Sequence, residues 1–180
     1  MFPFSLGRRI LLMLNDFVFI KEEYFIDNSA FVEMLDPNDL IKQSARCYLF
    51  IGIQYLENKF YVPIRKNIDL HIGKIGYPLP SSTRPNAGLD FRKTLIVNND
   101  SYIQKLSTIE ISSSQMNKLN SDINTIEALF ISYINGYIKA ALKGREKIDK
   151  LYKFSTLHNF HDELRINLED TPSGTKWKRE

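Results

Sequence analysis

The sequence predicts an α+β domain: a small, strongly bent antiparallel sheet or partly open barrel with several helices, one of them long. Three observations carry that prediction. Two runs rich in Ile, Tyr, Phe and Val, around Cys47 to Leu56 and Phe60 to Ile68, are separated by Glu57-Asn58-Lys59 and have the composition of an antiparallel hairpin. A third run, Leu89 to Val97, resumes after a polar stretch punctuated by Gly73, Gly76, Pro78, Pro80 and Pro85. Met116, Leu119, Ile123, Ile126, Phe130, Tyr133 and Tyr137 then alternate spacings of three and four, which lays one apolar stripe along a helix.

In chain order, residues 1–16 read as a tail or an early strand. Arg8-Arg9 and the apolar run after them resemble a signal peptide only until Asn15-Asp16, and no small-residue cleavage site follows. Phe17 to Ile20 reads as a strand. Lys21 to Leu35 reads as an amphipathic helix with Tyr24, Phe25, Phe31, Val32 and Leu35 inward, stopped by Asp36-Pro37. The hairpin follows. Along its second strand, alternation puts Phe60, Val62 and Ile64 on one face and Tyr61, Arg65 and Asn67 on the other. The stretch from Asp69 to Ala87 has the length and irregularity of a binding loop. Leu89 to Val97 is a strand, Ile103 to Ile111 a short strand or turn, and Ser112 with Gln115 a capping box ahead of the long helix. Gly144 closes that helix, and Arg145 to Leu164 reads as a final helix or helix-turn. Residues 17–168 thus form a single domain, and 169–180 a frayed tail. No repeat or low-complexity tract is visible.

At 180 residues and 43% hydrophobic content the chain can bury a core unaided. Cys47 is its single cysteine, which excludes an intrachain disulfide and a thiolate metal cluster and agrees with a cytoplasmic setting. His71, His158 and His161 are too few and too badly spaced to predict a zinc site, so neither metal nor cofactor is expected. No apolar run reaches the length of a membrane span.

The net charge of +3 is unevenly spread. Residues 16–57 hold eight acids against three cations, whereas 59–93 hold seven cations, Lys59, Arg65, Lys66, Lys74, Arg84, Arg92 and Lys93, against two acids. Such a basic segment suits a polyanion, although a solvated surface gives the same count. The chemistry of these residues is compatible with RNA cleavage. Attack by a ribose 2′-OH needs a group to take its proton, a donor to the leaving oxygen and cations for the charge growing on phosphorus. Arg65, Lys66 and Lys93 are suitable cations. Asn67 can hold a phosphate or a base edge, Tyr61 can stack on a base, and Asp90 or His71 can act as a base. Each has a plainer reading. Arg65 and Asp90 can be a structural ion pair, Lys93 an exposed strand cation, Tyr61 packing, Asn67 a turn cap and His71 a solvated loop residue. Ser155 and Thr156 can cap a helix, and Asn159 and His161 can face RNA or core.

Three motifs, FYVPIRKNI (60–68), GLDFRKTLIV (88–97) and YKFSTLHNFHDEL (152–164), resemble in content and order the endoribonuclease toxins of type III toxin–antitoxin systems, the ToxN and AbiQ group, and most closely the TenpN branch. The resemblance spans about residues 17–165. It implies a MazF-like barrel core elaborated with helices and a metal-independent RNase. It further implies that the chain cuts its own repetitive, pseudoknot-like antitoxin RNA and cellular or phage RNA, and is held inactive in an RNA–protein hetero-oligomer. Arg65, Lys66, Asn67, Asp90 and Lys93 are then the expected catalytic set. Tyr61, His71, Lys74, Arg84, Arg92, Ser155, Thr156, Asn159 and His161 are the expected RNA contacts. One departure stands out: family members commonly carry a hydroxyl residue, often serine, directly after the strand, where this chain has Lys66.

Overall fold

A computed structural model describes residues 5–6, 16–68, 74–106, 108 and 111–166. In chain order its elements are β1 (Ser5–Leu6), β2 (Phe17–Ile20), α1 (Glu22–Asp27), α2 (Leu40–Ser44), β3 (Tyr48–Ile51), β4 (Ile53–Gln54), β5 (Phe60–Arg65), β6 (Gly76–Pro78), β7 (Gly88–Asp90), β8 (Leu95–Ile96), β9 (Ile103–Lys105) and α3 (Ser113–Ala141). Short 3-10 turns occupy Phe91–Lys93, Asp100–Tyr102 and Thr156–Asn159. The strands form an open antiparallel sheet in the order β6-β7-β5-β3-β2-β9, with β8 also paired to β5; β1 and β4 make a separate two-stranded ribbon. The expected α+β class and bent antiparallel sheet are therefore present, and the sheet stays open rather than closing into a barrel.

The strand β5 organises this sheet. One edge pairs along its length with β3, from Phe60 opposite Ile51 to Pro63 opposite Tyr48. The other edge is shared: Phe60 and Tyr61 pair with β8, and Ile64 and Arg65 pair with β7. The break has a cause in the sequence. The Ile64 amide donates to the Cys47 carbonyl at 3.0 Å, so amides of even-numbered residues face β3 and those of odd-numbered residues face the shared edge. Pro63 thus presents its missing N–H to that edge, where no partner strand can be held. There the chain leaves the sheet as the 3-10 turn Phe91–Lys93, so the expected single strand Leu89 to Val97 is two strands and a turn. Gly88 is needed opposite Arg65, because a Cβ there would stand 2.5 Å from the Tyr77 carbonyl and collide with Ile68.

The helix α3 covers the sheet. The Ser112 hydroxyl accepts from the Gln115 amide and the Gln115 side chain returns to the Ser112 amide, the capping box read from the sequence. Leu119, Ile123, Ile126, Phe130, Tyr133 and Tyr137 are all buried, and each such side chain is worth about 1.5–3 kcal/mol. Phe130 meets Phe60 and Phe91 edge-on, at centroid distances of 5.6 and 5.4 Å, and so joins the helix to both halves of the broken edge. Gly144, at φ +63°, turns the chain away after the helix. Among the described residues no helix is long and apolar enough to cross a membrane.

Two expected helices are shorter than the periodicity suggests. The first ends at Asp27 rather than Leu35, and Val32 is 53% exposed instead of inward. Asn28 closes it, donating from Nδ2 to the Tyr24 carbonyl at 2.8 Å. Asn159 then takes the backbone of Val32 in both directions, accepting its N–H and donating to its C=O, each at 2.8 Å. A tertiary contact across 127 positions thus overrides local propensity. The expected terminal helix, Arg145 to Leu164, is a series of turns around the 3-10 turn Thr156–Asn159. The helix α2 was not expected; Asp39 caps it by accepting from the Lys42 amide at 3.0 Å. The expected tail at 169–180 lies outside the described residues.

Candidate nucleic-acid interface

A cleft of about 860 Å³ opens where β5 ends. Ile64, Arg65, Lys66 and Asn67 form one wall as the strand leaves the sheet. The α2 end and the start of β3 add Lys42, Arg46 and Cys47, β9 adds Gln104 and Lys105, and the loop before β7 adds Arg84. Among the described residues this lining carries six cations, Lys42, Arg46, Arg65, Lys66, Arg84 and Lys105, against the one carboxylate of Asp36. Arg46 pairs with that carboxylate. Lys66 and Asn67 are exposed, and Arg65 is part-buried. The result is a concave, cationic surface with apolar patches from Phe19, Ile64 and Ile111, a combination suited to a ribose-phosphate chain and its bases. Burial pushes the Cys47 thiol up to about 12, which leaves it protonated and unsuited to nucleophilic attack.

Behind Arg65 lies Asp90, 1% exposed. Its carboxylate accepts from Arg65 Nη1 at 2.6 Å, from Arg92 Nε at 2.9 Å and Nη2 at 3.0 Å, and from the Arg92 amide at 3.1 Å. One buried anion therefore anchors two guanidinia, and the ion-pair reading of Arg65 and Asp90 is the observed one. Shut away from water, Asp90 has both carboxylate oxygens turned to these two arginines.

Lys93 faces elsewhere. Its Nζ donates to the carbonyls of Glu33 at 2.6 Å and Phe154 at 2.8 Å and lies 3.5 Å from the Glu33 carboxylate, and it is not among the residues lining the cleft. Desolvation holds its pKa below the ordinary lysine value, against the pull of Glu33. Arg65 and Lys93 come from the first and second of the resembling motifs, and of the two only Arg65 reaches the cleft.

The remaining expected contacts divide in the same way. Tyr61 is 5% exposed, packs on Phe50 at 5.5 Å, and has its phenol pushed up to about 12 by burial. The face expected to be open at that point is covered. Ser155 accepts from the Tyr133 hydroxyl at 3.0 Å and caps the following turn. Thr156 donates toward the carbonyls of Arg92 and Thr94, and Asn159 holds Val32 as described. None of these three lines the cleft. His161 lies beside Tyr137, away from the cleft lining. Lys74 is exposed and also outside that lining. His71 lies outside the described residues.

The sequence reading missed Lys42, Arg46 and Lys105. The first two sit in the acid-rich segment, so a count by segment conceals them, and nothing local to Lys105 places it beside Lys66. It also missed Glu146, which the fold brings to His158 and His161.

No family model matches the sequence, and no curated protein matches it. Solved structures do match by fold. One, from a study of bacterial type III toxin–antitoxin systems in which a non-coding RNA pseudoknot selectively inhibits the toxin, has a TM-score of 0.56 at 13% identity, covering 84% of this chain and 98% of that one. Another is AbiQ, a lactococcal anti-phage endoribonuclease of a type III system, with a TM-score of 0.54 at 16% identity, covering 85% of this chain and 97% of that one. At such identities the likeness establishes the fold, which is the one the sequence resemblance implied.

Proposed function

We propose that this chain, which shares its fold with type III toxin–antitoxin toxins, is itself such a toxin: a metal-independent, cytoplasmic endoribonuclease restrained by its own repetitive antitoxin RNA. The observation that supports this most is the six-cation cleft at the end of β5, where Arg65, Lys66 and Asn67 of the first resembling motif come together.

In this reading a single RNA strand lies in the cleft with one phosphate against Arg65. The guanidinium, braced by Asp90, presents its remaining N–H groups to the phosphate oxygens and is already oriented before RNA arrives. The adjacent ribose 2′-OH attacks phosphorus, its proton leaves to a base, and the 5′-oxygen departs with a proton of its own, leaving a 2′,3′-cyclic phosphate. Lys66 neutralises charge on the same phosphate as a mobile point charge, and Asn67 holds a neighbouring phosphate or base edge. Arg84, Lys42, Arg46 and Lys105 extend the track for flanking nucleotides and for the antitoxin RNA, whose pseudoknot-like repeats would occupy the cleft in an RNA–protein hetero-oligomer.

One observation favours a second reading, a non-catalytic RNA-binding protein: Lys66 stands where the resembling toxins commonly carry a hydroxyl. Incubation of the purified chain with total RNA and EDTA, with circular dichroism confirming that it stays folded, separates the two. Fragments ending in 2′,3′-cyclic phosphate support the nuclease; retention of intact RNA supports the binder; the absence of both cutting and retention rules out both readings.

A further inference from the structure

Beyond the end of α3, three side chains from separate turns converge. One ligand atom each from Glu146, His158 and His161 lie within 4.8 Å of one another. Glu146 is only 5% exposed, and its Oε2 has no hydrogen-bond partner among the described residues. A carboxylate taken out of water without a full set of partners is costly, and charge compensation is the usual remedy.

The two imidazoles are arranged to supply lone pairs. His158 Nε2 stands 3.3 Å from the Lys153 carbonyl and His158 Nδ1 stands 2.9 Å from the Tyr137 hydroxyl. An acceptor outside the cluster calls for the proton on Nε2, which leaves Nδ1 as the inward lone pair. This is the outer-shell arrangement that fixes the tautomer of a ligating histidine. His161 Nε2 approaches the same Tyr137 hydroxyl at 2.8 Å. Tyr137 has one hydroxyl proton and two ring nitrogens beside it, so it cannot donate to both.

We propose that Glu146, His158 and His161 bind one divalent transition-metal ion, with zinc the best match, as a structural clip. Two imidazoles and a carboxylate form a nitrogen–oxygen donor set typical of zinc, and the Tyr137 hydroxyl or a water completes four-coordination. Ligands of a tetrahedral zinc lie about 3.3 Å apart, so the three side chains need only rotamer adjustments to close on the ion. None of the three lines the cleft. The clip would fasten the turn after α3 to the segment carrying Ser155 and Thr156, and hence to the wall behind Arg92 and Thr94. The site is independent of the proposed nuclease chemistry and stands or falls separately from it.

The test uses the full-length chain stripped of metal and titrated with zinc by calorimetry and with cobalt by visible absorption. The expected results are one ion per chain, intense cobalt bands of tetrahedral type and a rise in Tm with zinc. Glu146→Gln and His161→Asn should each weaken zinc binding by more than the ~10–100-fold that loss of an outer-shell partner costs. Absence of stoichiometric binding to the unsubstituted chain, or an affinity in both variants unchanged from that of the unsubstituted chain, overturns the proposal. A variant that does not fold leaves the cobalt spectrum of the unsubstituted chain to decide.

Discussion

Asp90 grips Arg65 from behind at 2.6 Å while itself only 1% exposed, so the anion is sealed away and its guanidinium partner keeps one side in the cleft. Asp90→Asn removes the charge that two arginines share. The expected cost is about 3 kcal/mol, the low end for breaking a buried pair because both guanidinia retain some water. Urea unfolding measures it, and RNA cleavage should fall in the same variant as Arg65 loses its orientation.

Arg65 and Lys93 should separate cleanly. Arg65→Ala is expected to abolish cleavage with the urea midpoint nearly unchanged. Lys93→Ala leaves the carbonyls of Glu33 and Phe154 without their donor and should lose about 1–3 kcal/mol of stability, yet cut RNA at an undiminished rate per folded molecule. A stable but inactive Lys93 variant would return that lysine to the chemistry.

Lys66→Ser removes one exposed cation from the cleft. The slope of log affinity for single-stranded RNA against log salt should shrink by about 0.7. Filter binding at several salt concentrations gives that slope. At saturating RNA the cleavage rate should rise, as the restored hydroxyl outweighs the lost ammonium charge, and a fall would mark the ammonium as the larger contributor of the two.

Tyr61 tests whether the sheet face is covered. Its phenol should ionise near 12 in a spectrophotometric titration, as the difference between the unsubstituted chain and Tyr61→Phe. RNA affinity of Tyr61→Phe should be unchanged. A titration near 10 would expose the ring to solvent and restore it as a stacking platform.

Asp122 ties α3 to β6. It accepts from the Tyr77 hydroxyl at 2.6 Å and from Lys118 at 3.0 Å, and these bonds, with the tyrosine first, hold its pKa at about 2 against a usual 3.8. A carboxylate depressed by folding stabilises fully above its unfolded value and loses that contribution as pH falls through the folded one. Tm should therefore decline between pH 3.8 and about 2 more steeply in the unsubstituted chain than in Asp122→Asn.

What could be read from residues alone followed the regularity of the contacts involved. The stripe from Met116 to Tyr137 and the capping box at Ser112 obey short-range periods, and the structure keeps them; the two runs of the expected hairpin also pair, but from Ile51 opposite Phe60, so residues 52–59 rather than Glu57-Asn58-Lys59 connect them and Ile53–Gln54 pairs with β1 instead. Lys21 to Leu35 also has a helical period, but Asn159 captures Val32 from far along the chain. Alternation put Arg65 and Asn67 on the open face, but as the strand ends the cleft takes Ile64, Arg65, Lys66 and Asn67 alike, from both faces. It misled at Tyr61, where both faces are covered and the period of two carries no information on exposure. Lys93 was misplaced because a 3-10 turn, not a strand, carries it, and the turn follows from Pro63, a residue thirty positions earlier. Of the site, the Arg65 wall was legible; Lys105 and the Glu146 cluster were not, since their neighbours are set only by how the sheet and α3 dock.

Thr156 bonds the Arg92 carbonyl from 64 positions downstream, and this has a bearing on synthesis. A ribosome that has extruded Arg65, Asp90 and Arg92 has not yet supplied the hydroxyl that holds the Arg92 carbonyl. On the nuclease reading proposed above, the growing polypeptide would thus spare the very messenger being translated, and cutting would begin only once the sheet, the long helix and the closing segment have all emerged.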